Sequence, residues 1–167
     1  MADPARLRAG IVPRVLASWR RPGRVMRDLS PMSEGALLAT LMGAMLVFLI
    51  AQTPGHARAA ALDPSVPLAG RMAGAVMAVI FLLPLLAYAV AALVSFAMRL
   101  AGRPVAPEDS RLALFWSLLA ISPAMLLGGL TEGLAGPGPA LTLVRVVTGI
   151  GFIVIWGAGL KALGGRA

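Results

Sequence analysis

The side chains that could do chemistry in this sequence are few and scattered. Its one histidine, His56, has no second histidine or carboxylate at metal-ligand spacing. Ser95, Ser117 and Ser122 fall in apolar stretches without a neighbouring base, which leaves their hydroxyls unactivated as nucleophiles. The absence of cysteine excludes disulfides, thiolate metal sites and cysteine nucleophiles. The sequence therefore predicts a protein that is not an enzyme, with no catalytic residue, no metal site and no cofactor.

The composition excludes a water-soluble globular domain. Of the 167 residues, 59% are hydrophobic and 13% charged, and the mean hydropathy is +0.86. A soluble domain carries roughly 45–50% apolar and about 25% charged residues. Lysine and arginine number fifteen, of which only Lys161 is lysine, and alanine and glycine are abundant. This bias is typical of translation from a GC-rich bacterial genome, and we expect a bacterial protein.

The apolar residues are concentrated in stretches long enough to cross a membrane, which takes about 20 residues of α-helix. Four stretches meet this requirement: residues 31–51, 71–98, 111–130 and 140–160. None alternates with the period of two that is typical of a barrel strand. We therefore predict an all-α, polytopic integral membrane protein. Its four-transmembrane-helix bundle occupies residues 31–163, followed by a C-terminal tail of residues 164–167.

Caps and turn residues mark the ends of these helices. Ser30 and Pro31 are typical of a helix start, and Pro107 begins a similar pattern before the third stretch. Residues 133–139, rich in glycine and proline, predict a tight turn before the last helix. Residues 52–67 contain three prolines and several polar residues, and they predict an exposed loop that carries a solvent-exposed His56.

The basic residues predict the orientation, because short cytoplasmic loops carry an excess of lysine and arginine. Twelve of the fifteen fall on one side of a four-span chain: Arg6, Arg8, Arg14, Arg20, Arg21, Arg24, Arg27, Arg99, Arg103, Arg111, Lys161 and Arg166. Arg58, Arg71 and Arg145 fall on the other side. We therefore expect both termini in the cytoplasm and the chain in a bacterial inner membrane. Trp19, Trp116 and Trp156 agree with this orientation, since all three fall near the cytoplasmic face, where indole rings anchor among the headgroups.

The basic tail, residues 1–30, contains a pattern typical of an interfacial amphipathic helix. Leu7, Ile11, Val15 and Trp19 recur every four residues, and a short helix is expected over residues 13–21. The candidate lipid- or partner-contacting residues are Arg14, Trp19, Arg20, Arg21, Arg24, Arg99, Arg103 and Arg111. The favoured interpretation is that the tail only sets the topology and rests on a bilayer with anionic headgroups. Docking of an unknown protein partner is the alternative, and nucleic acid is not expected because no binding motif accompanies the charge.

Within the spans, ionisable and polar candidates are rare. Arg145 is the one charged residue beyond the first turn of a span, and burial of such a group in lipid costs at least a few kcal/mol. Extension of its side chain to the outer interface is the favoured interpretation. Pairing with Glu132, with a carbonyl of another helix or with an anionic headgroup is the alternative. Tyr88 is expected to form a hydrogen bond across helices.

Two prolines, Pro84 and Pro123, fall inside the second and third spans and predict kinks. Ser122 is placed to satisfy the carbonyl that Pro123 frees. A structural kink is the favoured interpretation. A hinge or a broken-helix site is the alternative, and it would suit a small transporter or channel subunit.

Small residues recur at four-residue spacing, which lets helix backbones approach closely in lipid. The pairs are Ala39 with Gly43, Gly74 with Ala78, Ala87 with Ala91 and Ser95, and Ala124 with Gly128. We expect them at the seams of the bundle, with a homo-oligomer contact as the alternative.

The order of these features resembles bacterial members of the Yip-one domain family, the Ypt/Rab-interacting membrane proteins. The resemblance rests on short motifs: Val-Leu-Ala-Ser-Trp-Arg-Arg-Pro from Val15, Leu62–Pro67, Arg111–Trp116, Ser122-Pro123 and Gly136–Pro139. It implies an integral membrane protein without known catalysis. From the residues themselves we predict an interaction or membrane-organising role for the basic cytoplasmic face. Eukaryotic relatives usually have five spans and are associated with Rab GTPases. Because this chain has four predicted spans and a short tail, the Rab partner does not carry over.

Overall fold

A computed structural model describes residues 10–164 and contains only helices and turns over that range. The α-helices are α1 (Ile11–Ser18), α2 (Pro22–Leu29), α3 (Glu34–Leu62), α4 (Leu68–Val76), α5 (Leu83–Leu100), α6 (Pro107–Ala120), α7 (Ser122–Leu134) and α8 (Pro139–Leu163). A π-helical segment, Met77–Leu82, joins α4 to α5. Arg6, Leu7, Arg8 and Arg166, which contribute to the predicted basic tail and orientation, lie outside the described residues.

The helices are compatible with a membrane protein. Three continuous helices are long and apolar enough to cross a bilayer: α3, the run from Leu68 to Leu100, and α8. The third predicted span, residues 111–130, is instead the pair α6 and α7, which bend by 41° at Ile121. The described chain therefore has three candidate spans, or four if this bent pair crosses the membrane as one.

The first long helix starts and ends later than predicted. Ser33, rather than Ser30, caps α3 by accepting a hydrogen bond from the backbone N–H of Ala36. The predicted loop over residues 52–67 is helical as far as Leu62, and α3 passes through Pro54 without ending. Proline and glycine in this stretch favour a loop, but the helix continues because its residues around Pro54 pack directly against α7.

Helix α6 lies at the centre of the fold, between α3, α5 and α8. Nearly every residue in its last three turns is buried, including Phe115, which is fully enclosed. Two buried serines hold α5 against α6 and the loop before it. Ser110 of α6 donates to the carbonyl of Ala91 in α5 (2.7 Å), and Ser95 of α5 donates to that of Val105, two residues before α6 begins (2.9 Å). A hydroxyl buried without a partner would be costly, so these bonds fix α5 against α6.

The closest helix contact joins α3 to α7, and its glycines were missed in the sequence. A Cβ atom on Gly129 would lie 1.7 Å from the carbonyl oxygen of Ala51, and one on Gly133 would lie 2.4 Å from Cβ of Pro54. Gly129 and Gly133 are four residues apart, as in the small-residue motif of membrane helices. Gly128, which was expected at the seam, meets only Val144 at an ordinary 3.5 Å.

The other expected seams divide into two groups. Ala87, Ala91 and Ser95 are buried, as predicted. Around Gly43 and Gly74, by contrast, the space that a Cβ would occupy is open to 4 Å, and their partners Ala39 and Ala78 are exposed. These two stripes therefore face away from the rest of the chain.

Candidate functional site

The N-terminal amphipathic segment is two helices that dock on the membrane domain. Helix α1 ends at Ser18, three residues before the predicted end, because the chain turns before Pro22 and begins α2. Val15 and Ser18 are buried against the domain, whereas Ile11 is 62% exposed and Leu16 is 59% exposed. Helix α1 therefore has one face on the protein and a second, apolar face that is free to contact lipid.

Trp19 ties these helices to the bend between α6 and α7. Its indole Nε1–H donates to the carbonyl of Ala120 at the bend (2.8 Å). This bond is a different one from that predicted for Ser122, because the carbonyl that Pro123 frees belongs to Leu119, four residues before the proline. The indole ring lies on Gly151 of α8, where a Cβ would come within 2.6 Å of Cη2.

Two further contacts hold the N-terminal helices in place. The indole Nε1–H of Trp116 donates to the hydroxyl of Ser18 (2.9 Å), which in turn donates to the carbonyl of Arg14 (2.8 Å). Met26 is fully buried, and its side chain lies over Gly159 of α8, where Ala113 of α6 also approaches. Trp116 is thus a buried packing residue, only 3% exposed, and the expectation that it anchors among headgroups is wrong.

The arginines of this region differ in their exposure. Arg20, Arg21 and Arg24 are exposed on and beside α2, and Arg99 and Arg103 are exposed at the end of α5. These five exposed arginines are here called the basic face. Arg14 and Arg111, which were also candidates, are half-buried.

Two polar contacts join elements beside this basic face. Arg111 of α6 pairs with Glu34, which lies in the first turn of α3. The hydroxyl of Ser30 donates to Asp109 (3.0 Å), so the end of α2 is joined to the start of α6. These residues therefore connect helices, whereas the five arginines of the basic face have no such side-chain bond to another helix within residues 10–164.

At the other end of the molecule, Arg145 of α8 pairs with Glu132 of α7. The nitrogen and oxygen are 3.0 Å apart, and both side chains are substantially exposed. The two residues border a cavity of about 380 Å³ between α3, α7 and α8, to which Gln52 and Thr148 also contribute. Pairing with Glu132, the less favoured alternative for Arg145, is therefore the one that the structure contains.

His56 and Arg58 lie on helix α3 rather than in a loop. His56 is half-buried, and its Nε2 has no hydrogen-bond partner among the described residues, so the expectation of a solvent-exposed imidazole is wrong. Arg58 donates to the carbonyl of Gly133 at the end of α7 (3.4 Å). A positive charge at the carboxyl end of α7 interacts favourably with the negative end of the helix dipole. Gly136 follows in a left-handed conformation (φ 76°), directly under the guanidinium.

The loop between α3 and α4 carries an exposed charge cluster on that same side. Asp63 accepts hydrogen bonds from the hydroxyl and the backbone N–H of Ser65, and it pairs with Arg71 at 3.3 Å. The bonds from Ser65 are the main reason that the pKa of Asp63 is lowered, and the charge of Arg71 contributes to the same effect.

Pro84 and Tyr88 occupy the second predicted span. Pro84 follows the π-helical segment, in which the N–H of Leu83 donates to the carbonyl of Ala78, five residues back. A π turn lets the helix continue past a residue that lacks a donor. Tyr88 packs edge-on against Phe115, with 4.9 Å between ring centroids, and the expected cross-helix bond of its hydroxyl is not formed within residues 10–164.

The described residues contain no group of three or more histidine, aspartate or glutamate side chains placed to hold a metal ion. Three comparisons bear on ancestry. Protein-family models, curated proteins and solved structures give no match to this chain.

Proposed function

We propose that this chain is a non-enzymatic, four-span protein of the bacterial inner membrane that organises anionic lipid at its cytoplasmic surface. The observation that carries the proposal is the docking of α1 and α2 by Trp19 and Met26, with Arg20, Arg21 and Arg24 left exposed. The bent pair α6 and α7 would cross as one span. Both termini would then lie in the cytoplasm, where the basic residues are concentrated.

Electrostatics supports lipid as the partner of the basic face. Each basic residue near an anionic membrane contributes about 1 kcal/mol of attraction. Arg20 and Arg21 follow α1 closely in the chain, and that helix exposes the apolar side chains of Ile11 and Leu16. An apolar face beside a row of cations is what an interfacial helix presents to headgroups and the first acyl carbons. An unidentified protein partner would use the same exposed arginines and is the competing occupant.

The first test reverses the charge of three arginines at and just before the start of α2. In native mass spectrometry of the detergent-solubilised protein, the triple variant Arg20→Glu, Arg21→Glu, Arg24→Glu should retain phosphatidylglycerol at least about tenfold less tightly than wild type. Retention of phosphatidylcholine should not change. The triple lysine variant at the same positions keeps the charge and serves as the control. An unchanged preference for phosphatidylglycerol in the glutamate variant would contradict the proposal.

The second test concerns the crossing of the membrane, and it uses the absence of native cysteine. We expect a membrane-impermeant maleimide to label Ser65→Cys and Gly138→Cys in intact spheroplasts. Ala101→Cys, in the loop after α5, should be labelled only after lysis. If α6 and α7 instead formed a re-entrant pair, residues 101 and 138 would lie on the same side of the membrane. Gly138→Cys would then be labelled only after lysis, like Ala101→Cys, and the four-span arrangement would be wrong.

The alternative of a small transporter or channel needs a polar path between the kinked helices. The cavity beside Pro84 is bordered instead by apolar side chains such as Phe48, Leu83 and Leu114. This lining favours the interaction role over transport. Membership of the Yip-one family stays a prediction that rests on the short sequence motifs alone.

A further inference from the structure

An apolar cavity of about 240 Å³ opens between α3, α5, α6 and α8. Its lining on α5 runs for two helical turns, from Leu83 through Ala87 to Val90, so the space is extended along the helix axis. Phe48 and Phe152 border it from α3 and α8. Apolar cavities of roughly 150 Å³ already stay free of water and bind apolar ligands. Water is therefore a poor occupant of this one.

Trp156 is the residue of this lining that carries a hydrogen-bond donor. Its ring stacks on Phe152 with 5.4 Å between centroids. Its Nε1 is buried from solvent and has no acceptor among residues 10–164. A buried N–H without a partner costs about 1–3 kcal/mol, so an acceptor supplied by a ligand would be stabilised at this position.

We propose that the cavity binds one acyl chain of a membrane phospholipid, whose ester carbonyl accepts the hydrogen bond of Trp156. The acyl chain matches an elongated apolar space, and it is the molecule that surrounds these helices in a membrane. Trp156 lies five residues before Lys161, or about 7.5 Å along α8 at 1.5 Å per residue. An ester carbonyl lies just below the headgroup, at a similar distance from the charged end of the helix.

The test uses zwitterionic lipid, so that it does not depend on the basic face. Native mass spectrometry of the full-length protein should show one tightly retained phosphatidylcholine. The ester-linked form should be retained roughly 3- to 10-fold better than its ether-linked analogue, which lacks the carbonyl. Trp156→Phe keeps a ring in the cavity but removes the donor, and it should abolish this preference.

A pair of leucine substitutions provides the matched control. Ala87→Leu fills the cavity and should remove the tightly retained lipid, whereas Ala89→Leu adds the same bulk on the exposed side of α5 and should leave it. Equal retention of ester and ether lipids by wild type would overturn the proposal, as would retention of a free fatty acid in place of phospholipid. Failure of the phosphatidylglycerol test alone would leave this site standing, because phosphatidylcholine carries no net charge.

Discussion

Replacement of Gly129 by alanine should destabilise the protein more than the same replacement at Gly133, Gly151 or Gly159. The new Cβ would meet the backbone of Ala51 at 1.7 Å, and a backbone carbonyl has no rotamer by which to move away. Helices α3 and α7 would have to separate along their whole contact. We expect a loss of about 3 kcal/mol or more in the free energy of unfolding. Unfolding in mixed micelles of dodecyl maltoside and SDS measures it.

The neighbouring glycine provides the control for this prediction. Gly128→Ala makes the same chemical change one residue earlier, where the nearest atom is Cγ1 of Val144 at 3.5 Å. That variant should unfold within about 0.5 kcal/mol of wild type. Equal stability of the two variants would show that α3 and α7 are not in contact at Gly129.

The second large effect concerns Trp19. Trp19→Phe leaves the Ala120 carbonyl without its donor, and Trp19→Ala also removes the ring from Gly151. An unpaired carbonyl costs about 1–3 kcal/mol, so backbone hydrogen exchange in α1 should accelerate at least about fivefold in Trp19→Phe. The exchange of α3 and α8 should stay at the wild-type rate. Ile11→Ala, on the exposed face of α1, provides the control.

A double-mutant cycle tests whether Trp19 acts through Gly151. Gly151→Ala places a methyl 2.6 Å from Cη2 of the indole and should displace it, with the same acceleration of exchange in α1. In a Trp19→Ala background, Gly151→Ala should add nothing further. Gly149→Ala, whose new methyl meets open space, should behave as wild type. Additive effects of the two substitutions would mean that the ring does not lie on Gly151.

A partner for Arg145 could be named from the sequence, whereas the glycines at the contact between α3 and α7 could not. Glu132 could be named as a partner for Arg145 because the tight turn at residues 133–139 brings the end of one helix beside the start of the next. The Gly129 and Gly133 contact also had a readable signal, four-residue spacing, but Ala124 and Gly128 showed the same spacing. The spacing of small residues identifies faces of a helix that could pack closely. Which of two adjacent faces contacts another helix depends on where that helix lies.

The sequence alone determined that the chain is helical and apolar, because a run of about 20 apolar residues has few ways to satisfy its backbone in lipid. It also determined where the basic residues are concentrated, and it contains the small residues at four-residue spacing that close helix packing needs. Tertiary structure decided the rest. It carried α3 through Pro54 to Leu62, and it turned Trp19 from a headgroup anchor into the partner of Ala120. Both outcomes depend on atoms brought together from distant parts of the chain, and local propensity contains no information about such contacts.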